Sequence, residues 1–282
     1  MNKVIKKKHH YVWKHYLKPW TENEQICCLR QGKPFSTSLE NIAQKRYFYE
    51  SLPLNELELK FINSFLCQAH PTARKPLSGL LEVYLKSAHT NDYTKKSGLE
   101  DFYSIVEGNF IPILDKIYKN DFSFLDDLQE RNHFSFFIGI QYMRTLKMRD
   151  NFNNAPIDVP NELNKDNLGK IFSLFFADII GNWVFQVGRL NLLHNKSDMN
   201  FITGDQPIFN KKGDIKVNGN VKEFDLYFPI TPKLAIQISD YAEGEEFVDK
   251  DTVIHYNKMI KSNSKEQIFS KNMCDFDLFL DM

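Results

Sequence analysis

The stretch Asn200-Phe-Ile-Thr-Gly-Asp-Gln-Pro-Ile-Phe209 is where the pattern of the chain changes. Before it, apolar residues recur at helical spacing. After it, they recur in short runs bounded by turns. The stretch itself reads as an apolar strand interrupted by Gly204-Asp-Gln-Pro207. Glycine lets a neighbouring backbone approach closely, and proline cannot donate to a strand ladder. Downstream, Lys211–Asp214 reads as a turn, and Asp225-Leu-Tyr-Phe-Pro-Ile230 and Leu234-Ala-Ile-Gln-Ile-Ser239 read as strands around Thr231-Pro-Lys233. Asp249–Lys271 carries Val253, Ile254, Tyr256, Asn257 and Ile260 at helical spacing, and the last residues read as a strand or a tail.

Upstream, Leu54–Leu66 has a helical repeat with Asn55 placed to cap it. Residues 76–90 repeat Leu77, Leu80, Leu81, Tyr84 and Leu85 at helical intervals. Residues 98–118 read as one helix broken by Pro112 or as two shorter ones. Phe122–Leu128 is an acidic turn, His133–Leu146 a buried central helix, and Asp150–Pro160 a loop rich in Asn. Asn164–His194 reads as a long helix or a broken pair. Near the start, Gln25–Leu39 reads as a hairpin turning at Gln31-Gly-Lys-Pro34. The expectation is an α+β fold: a predominantly helical body with an N-terminal β-hairpin and a small C-terminal antiparallel sheet. A single domain over 1–282 is expected, with segments 1–50, 51–198 and 199–282.

Composition narrows the function classes. Lys+Arg and Asp+Glu both number 36, so a general attraction to nucleic acid or membrane is not expected and a basic site must be local. Phe is abundant at 24 and Gly scarce at 12, so aromatics supply much of the core. The start has no apolar run after its lysines and is read as lacking a signal peptide. No uninterrupted apolar stretch approaches a membrane span, so no membrane partner is expected. Cys27, Cys28, Cys67 and Cys274 lack metal-ligand spacing and read as free thiols of a cytoplasmic protein. There is no phosphate-binding Gly-rich loop, dinucleotide fingerprint, zinc helix or nucleophile elbow.

Candidate chemistry begins in residues 6–20, which hold five lysines, three histidines, two tyrosines and two tryptophans. Interleaved cations and aromatics suit an anion, and Lys45-Arg46-Tyr47-Phe-Tyr49 repeats the combination. The alternative is a solvated surface over an aromatic core. His9 and His10 point to opposite sides of an extended segment, so one can enter a site and move a proton or bind a metal. Gln141 and Arg144 share a helix face, where a guanidinium fork suits a phosphate or carboxylate; the alternative is pairing with a structural carboxylate such as Glu58. Asp205 can accept hydrogen bonds or hold a divalent metal, or close an Asx-type turn. Asn182, beside a core Trp183, is placed to orient another group.

Several of these pieces resemble the DUF4238 family, a bacterial domain of unknown function. The resemblance rests on His9-His-Tyr-Val12 with Tyr16-Leu17, Asn41–Tyr49, Gln141-Tyr-Met-Arg144, Phe201–Ile208, Phe228-Pro-Ile-Thr-Pro232 and the late helix with Asn257. The family usually has Pro where this chain has Trp13, and Thr-Ser-Asp-Asn-Pro where it has Thr203-Gly-Asp-Gln-Pro207. The resemblance implies a shared fold and a composite pocket walled by His10 and Tyr11. It brings no known reaction. Members resemble proteins of mobile and defence-associated neighbourhoods, which points toward nucleic-acid or toxin chemistry and antiviral defence. Two functions are carried forward, beside a third possibility that the polar motifs are only internal struts of the fold. One is a nuclease-like phosphodiesterase or nucleotide-processing enzyme with His10 as acid or base, Arg144 as phosphate clamp and Asp205 as metal ligand or orienting group. Its substrate contacts would be His9, Tyr11, Lys45, Arg46, Gln141, Asn182 and Thr203. The other is a non-catalytic module that binds a nucleotide, RNA or a protein.

Overall fold

Asn55 begins the first long helix, and the reason is local. Its side chain accepts from the Glu58 backbone while the Glu58 carboxylate accepts from the Asn55 backbone, a reciprocal capping box. The computed structural model describes residues 4–155, 162–213, 216–217, 220–221 and 223–280. In chain order the elements are β1 (Lys8–His10), α1 (Lys14–Leu17), β2 (Thr21–Glu22), β3 (Gln25–Arg30), β4 (Lys33–Ser38) and β5 (Gln44–Arg46). The helices α2 (Glu56–Gln68), α3 (Pro71–His89), α4 (Asp92–Tyr118), α5 (Leu128–Met143), α6 (Leu146–Asn153) and α7 (Lys165–Val187) follow. Then come β6 (Arg189–Asn195), β7 (Thr203–Gly204), β8 (Phe209–Asn210), β9 (Lys216–Val217), β10 (Asn220–Val221), β11 (Asp225–Thr231), β12 (Leu234–Ser239) and β13 (Gly244–Val248), and finally α8 (Lys250–Asn263) and β14 (Gln267–Ser270). The fold is α+β, as the sequence predicts.

The chain divides into two units. Unit 1 takes residues 1–9, 45–144 and 148–185, and is the helical body. Its core is built on phenylalanine: Phe110 stacks on Phe137 at 3.8 Å between ring centres, and Phe134 lies against Phe124 at 5.1 Å. Helices α5 and α7 touch backbone to backbone, because a Cβ at Gly139 would fall on the Ala177 carbonyl. Pro112 does not break α4. Both Pro112 and Gly108, whose carbonyl the proline ring leaves without its helical donor, are exposed, so water can satisfy that carbonyl. Among the described residues one helix, α7, is long and apolar enough to cross a membrane by length and composition, and 61% of its apolar window is buried within the protein.

Unit 2 takes residues 10–44, 145–147 and 186–282 and contains two five-stranded sheets. The hairpin β3–β4 forms as expected, with Gln31 at φ 51° and Gly32 at φ 71° supplying the left-handed turn. It is not a separate ribbon: β14 pairs with β3 on one side and β7 on the other, and β2 pairs with the start of β3. The other sheet runs β13-β6-β12-β11-β8. The expected small antiparallel sheet is therefore larger and mixed, since β13 lies parallel to β6. Residues 189–195 are a strand and not the end of a helix, and β14 occupies residues assigned from sequence to the last helix. Helix α6 takes the first part of the expected 150–160 loop, of which residues 156–160 lie outside the described residues, as does Asp214 of the expected turn. Val253 and Ile260 of α8 pack into a core with Phe201, Tyr227 and Ile268.

Candidate functional site

The candidate residues divide between the units. His9, Lys45, Arg46, Gln141, Arg144 and Asn182 belong to unit 1, and His10, Tyr11, Thr203 and Asp205 to unit 2.

In unit 2 the stretch 201–210 is buried at every position. A buried polar group needs a partner, and each one here finds it in neighbouring backbone or side chains. The Asp205 carboxylate accepts backbone N–H groups from Lys265 at 2.7 Å, Glu266 at 2.7 Å and Gln267 at 3.1 Å. It therefore holds the turn between α8 and β14. Burial pushes its pKa up and the three N–H groups pull it down, leaving it above the ordinary carboxylate value. Gly204 is needed because a Cβ there would fall on the Ser264 hydroxyl. The Tyr16 hydroxyl donates to the Pro229 carbonyl at 2.7 Å and so accepts from Thr203 at 2.7 Å. Asn257 accepts from the Ile202 backbone and donates to the Asn200 carbonyl. Tyr11 is fully buried, its hydroxyl accepts from Gln267 at 3.4 Å, and burial raises its pKa. His10 is half-buried.

Unit 1 holds a second network. His9 is fully buried and spans two backbone groups: Nδ1 accepts from the Tyr49 N–H at 3.0 Å, and Nε2 lies 3.1 Å from the Lys6 carbonyl. Those partners fix the neutral tautomer with the proton on Nε2, and burial lowers its pKa. Its ring stacks on Tyr49, which meets Tyr103 edge-on at 4.6 Å. Arg144 lies over Tyr103 at 5.4 Å, donates to Gln141 at 2.7 Å and pairs with Glu107 at 2.8 Å. The structural carboxylate beside Arg144 is thus Glu107. Glu58 instead serves the α2 cap and the Asn164 backbone. Asn182 lies on the exposed face of α7 and Trp183 is half-buried, so this pair does not form the expected core contact.

Sequence reading missed Glu100, Tyr103 and Glu107, which line one face of α4. Burial pushes the Glu100 carboxyl up to about 7, opposed by Arg144 and reinforced by Glu107. Spacings of three and seven residues put the three on one side of a helix, but a long helix carries such spacings by chance. Among the described residues no group of three or more His, Cys, Asp or Glu is placed to hold a metal.

One group of exposed cations in unit 1 lies apart from this network. Lys7, Lys8, Lys45 and Arg46 are all exposed on or beside the β1–β5 strand pair, where the Tyr47 N–H donates to the Lys7 carbonyl at 3.0 Å. The Tyr47 ring has the Arg46 guanidinium at 5.1 Å and the Lys96 ammonium at 5.6 Å.

These features define an α+β protein whose polar motifs brace its interior and which carries a group of exposed cations on one strand pair. A family model described as a protein of unknown function (DUF4238) matches residues 8–273, and the chain belongs to that family. No curated protein and no solved structure matches it.

Proposed function

We propose that the protein is a non-catalytic module that binds single-stranded nucleic acid through the basic and aromatic surface of β1 and β5. The observation that carries this reading is the group Lys7, Lys8, Lys45 and Arg46, exposed around a tyrosine that already lies beside two cations. Phosphates are held by such charges, and bases stack on aromatic faces without needing a fixed sequence. The buried Asp205 motif supports binding over catalysis, because that carboxylate accepts three backbone N–H groups of the protein itself.

Fluorescence anisotropy with labelled single-stranded RNA and DNA tests this across a salt series. Affinity should fall as salt rises. Lys45→Glu with Arg46→Glu should weaken binding roughly tenfold or more and lower the salt slope by about 1 to 2. Binding indifferent to salt and to both reversals would end the proposal.

A second reading, cleavage of a bound phosphodiester, is favoured by Glu100. A carboxyl titrating near 7 beside Arg144 pairs a proton donor with an anion clamp. Labelled RNA and DNA incubated with and without Mg²⁺ or Mn²⁺ test it. Turnover lost in a Glu100→Gln variant that remains folded would favour the enzyme. Binding with no turnover under any of these conditions would leave the module.

A further inference from the structure

Three helices of unit 1 each turn an i, i+4 pair toward one cavity: Phe61 and Phe65 from α2, Met148 and Phe152 from α6, and Phe172 and Phe176 from α7. The cavity measures about 450 Å³, within the size range of small-molecule sites. Phe172 is its centre. Phe65 meets it edge-on at 5.0 Å, and Phe152 stacks on it at 5.7 Å. The polar side chains of the lining are Asn151 and Lys165, and both are exposed.

We propose that this cavity binds the hydrocarbon chain of a carboxylate amphiphile, with Lys165 taking the head group. The choice of occupant follows from the walls. A nucleobase or sugar would bury hydrogen-bonding edges against phenylalanine and methionine with nothing to satisfy them. A hydrocarbon chain leaves no such group, and apolar cavities take apolar ligands. A methylene occupies roughly the volume of one water, about 30 Å³, so a chain on the order of a dozen carbons fits. Charge complementarity selects the head. Lys165 makes no ion pair with a described residue. Its acidic neighbour Asp166 is already held by Lys170 at 2.7 Å and faces Arg149 at 3.8 Å. Asn164 also accepts from the Asp166 and Asn167 backbones, so the ammonium of Lys165, and not the helix end, is left for an anion. The site is independent of the nucleic-acid surface.

Titration calorimetry on the full chain tests the proposal, with dodecanoate and dodecanol each kept below aggregation. Both should bind one to one, dodecanoate more tightly. Lys165→Glu should weaken dodecanoate about tenfold and leave dodecanol unchanged. Ala155→Trp, which fills the cavity from its edge, should abolish both while the melting curve stays cooperative. No binding of either compound overturns the site. Binding of both unaffected by Ala155→Trp places them elsewhere and also overturns it. An equal loss of acid and alcohol in Lys165→Glu overturns the head-group assignment alone.

Discussion

At the residue scale, the carboxylates separate into those that hold backbone and those that carry a movable proton. Asp205 is the first kind. Three N–H groups converge on it, so Asp205→Ala leaves the buried Gln267 N–H and the part-buried Lys265 and Glu266 N–H groups without their acceptor. Each such donor costs about 1–3 kcal/mol, and a loss of at least 2 kcal/mol is expected in urea unfolding. A carboxylate kept for catalysis would leave stability unchanged or improved when removed. Glu100 is the second kind. Its folded pKa, about 7, lies above the ordinary value of 4.5, so the folded state binds the proton more tightly than the unfolded chain. That stability is fully present below about 4.5 and is lost as pH rises through 7. Each unit of displacement is worth about 1.4 kcal/mol, so Glu100→Gln should be more stable than wild type at pH 8 by up to about 3 kcal/mol. The difference between the two stability curves should shrink toward pH 5, and a pH-independent difference would sink the assignment. The cap at Asn55 was legible in the sequence because its signal is local: a capping side chain and a Glu three positions on. The partner of Arg144 was not, because Glu107 lies on another helix and many acids compete for one guanidinium.

At the element scale, legibility followed burial pattern. The β3–β4 hairpin declared itself by a turn that only Gln31-Gly32 geometry satisfies, flanked by two runs of similar length. Strand β14 left no such trace. It is buried at all four positions, so it has no alternation, and it follows directly on a helical repeat. Strand β6 likewise reads as a continuation of α7. The turn between α8 and β14 also explains why glycine suits position 204. The Ser264 hydroxyl, bonded to the Ile260 carbonyl at 2.8 Å, takes the space a side chain at 204 would fill. Gly204→Ser should therefore cost about 1–3 kcal/mol as overpacking. Adding Ser264→Ala should recover part of that loss, a coupling of the size seen between touching residues. Thermal melts of the two single variants and the double variant measure it; strictly additive losses would mean the two side chains do not compete.

At the scale of the whole molecule, unit 2 is assembled from residues far apart in the chain. β3 pairs Leu29 with Ile268 and Cys28 with Phe269, so its central sheet cannot form until the last strand has been made. This is also why the topology was not legible: periodicity reports an element's own faces and says nothing of a partner more than two hundred residues away. Pairings of such separation carry a high loop-closure cost before any contact is gained, and they slow folding. Removal of residues 265–282 deletes β14 from between β3 and β7. It also removes the N–H groups that satisfy Asp205, and the Phe276 and Phe279 side chains of the unit 2 core. Hydrogen exchange should then show the β3 and β4 amides losing protection by orders of magnitude. The α4 and α5 amides, which take their hydrogen bonds within unit 1 helices, should lose far less. Uniform loss across both units would mean that the helical body depends on the closed sheet. Unchanged protection of β3 would mean that the hairpin holds without the strand that completes it.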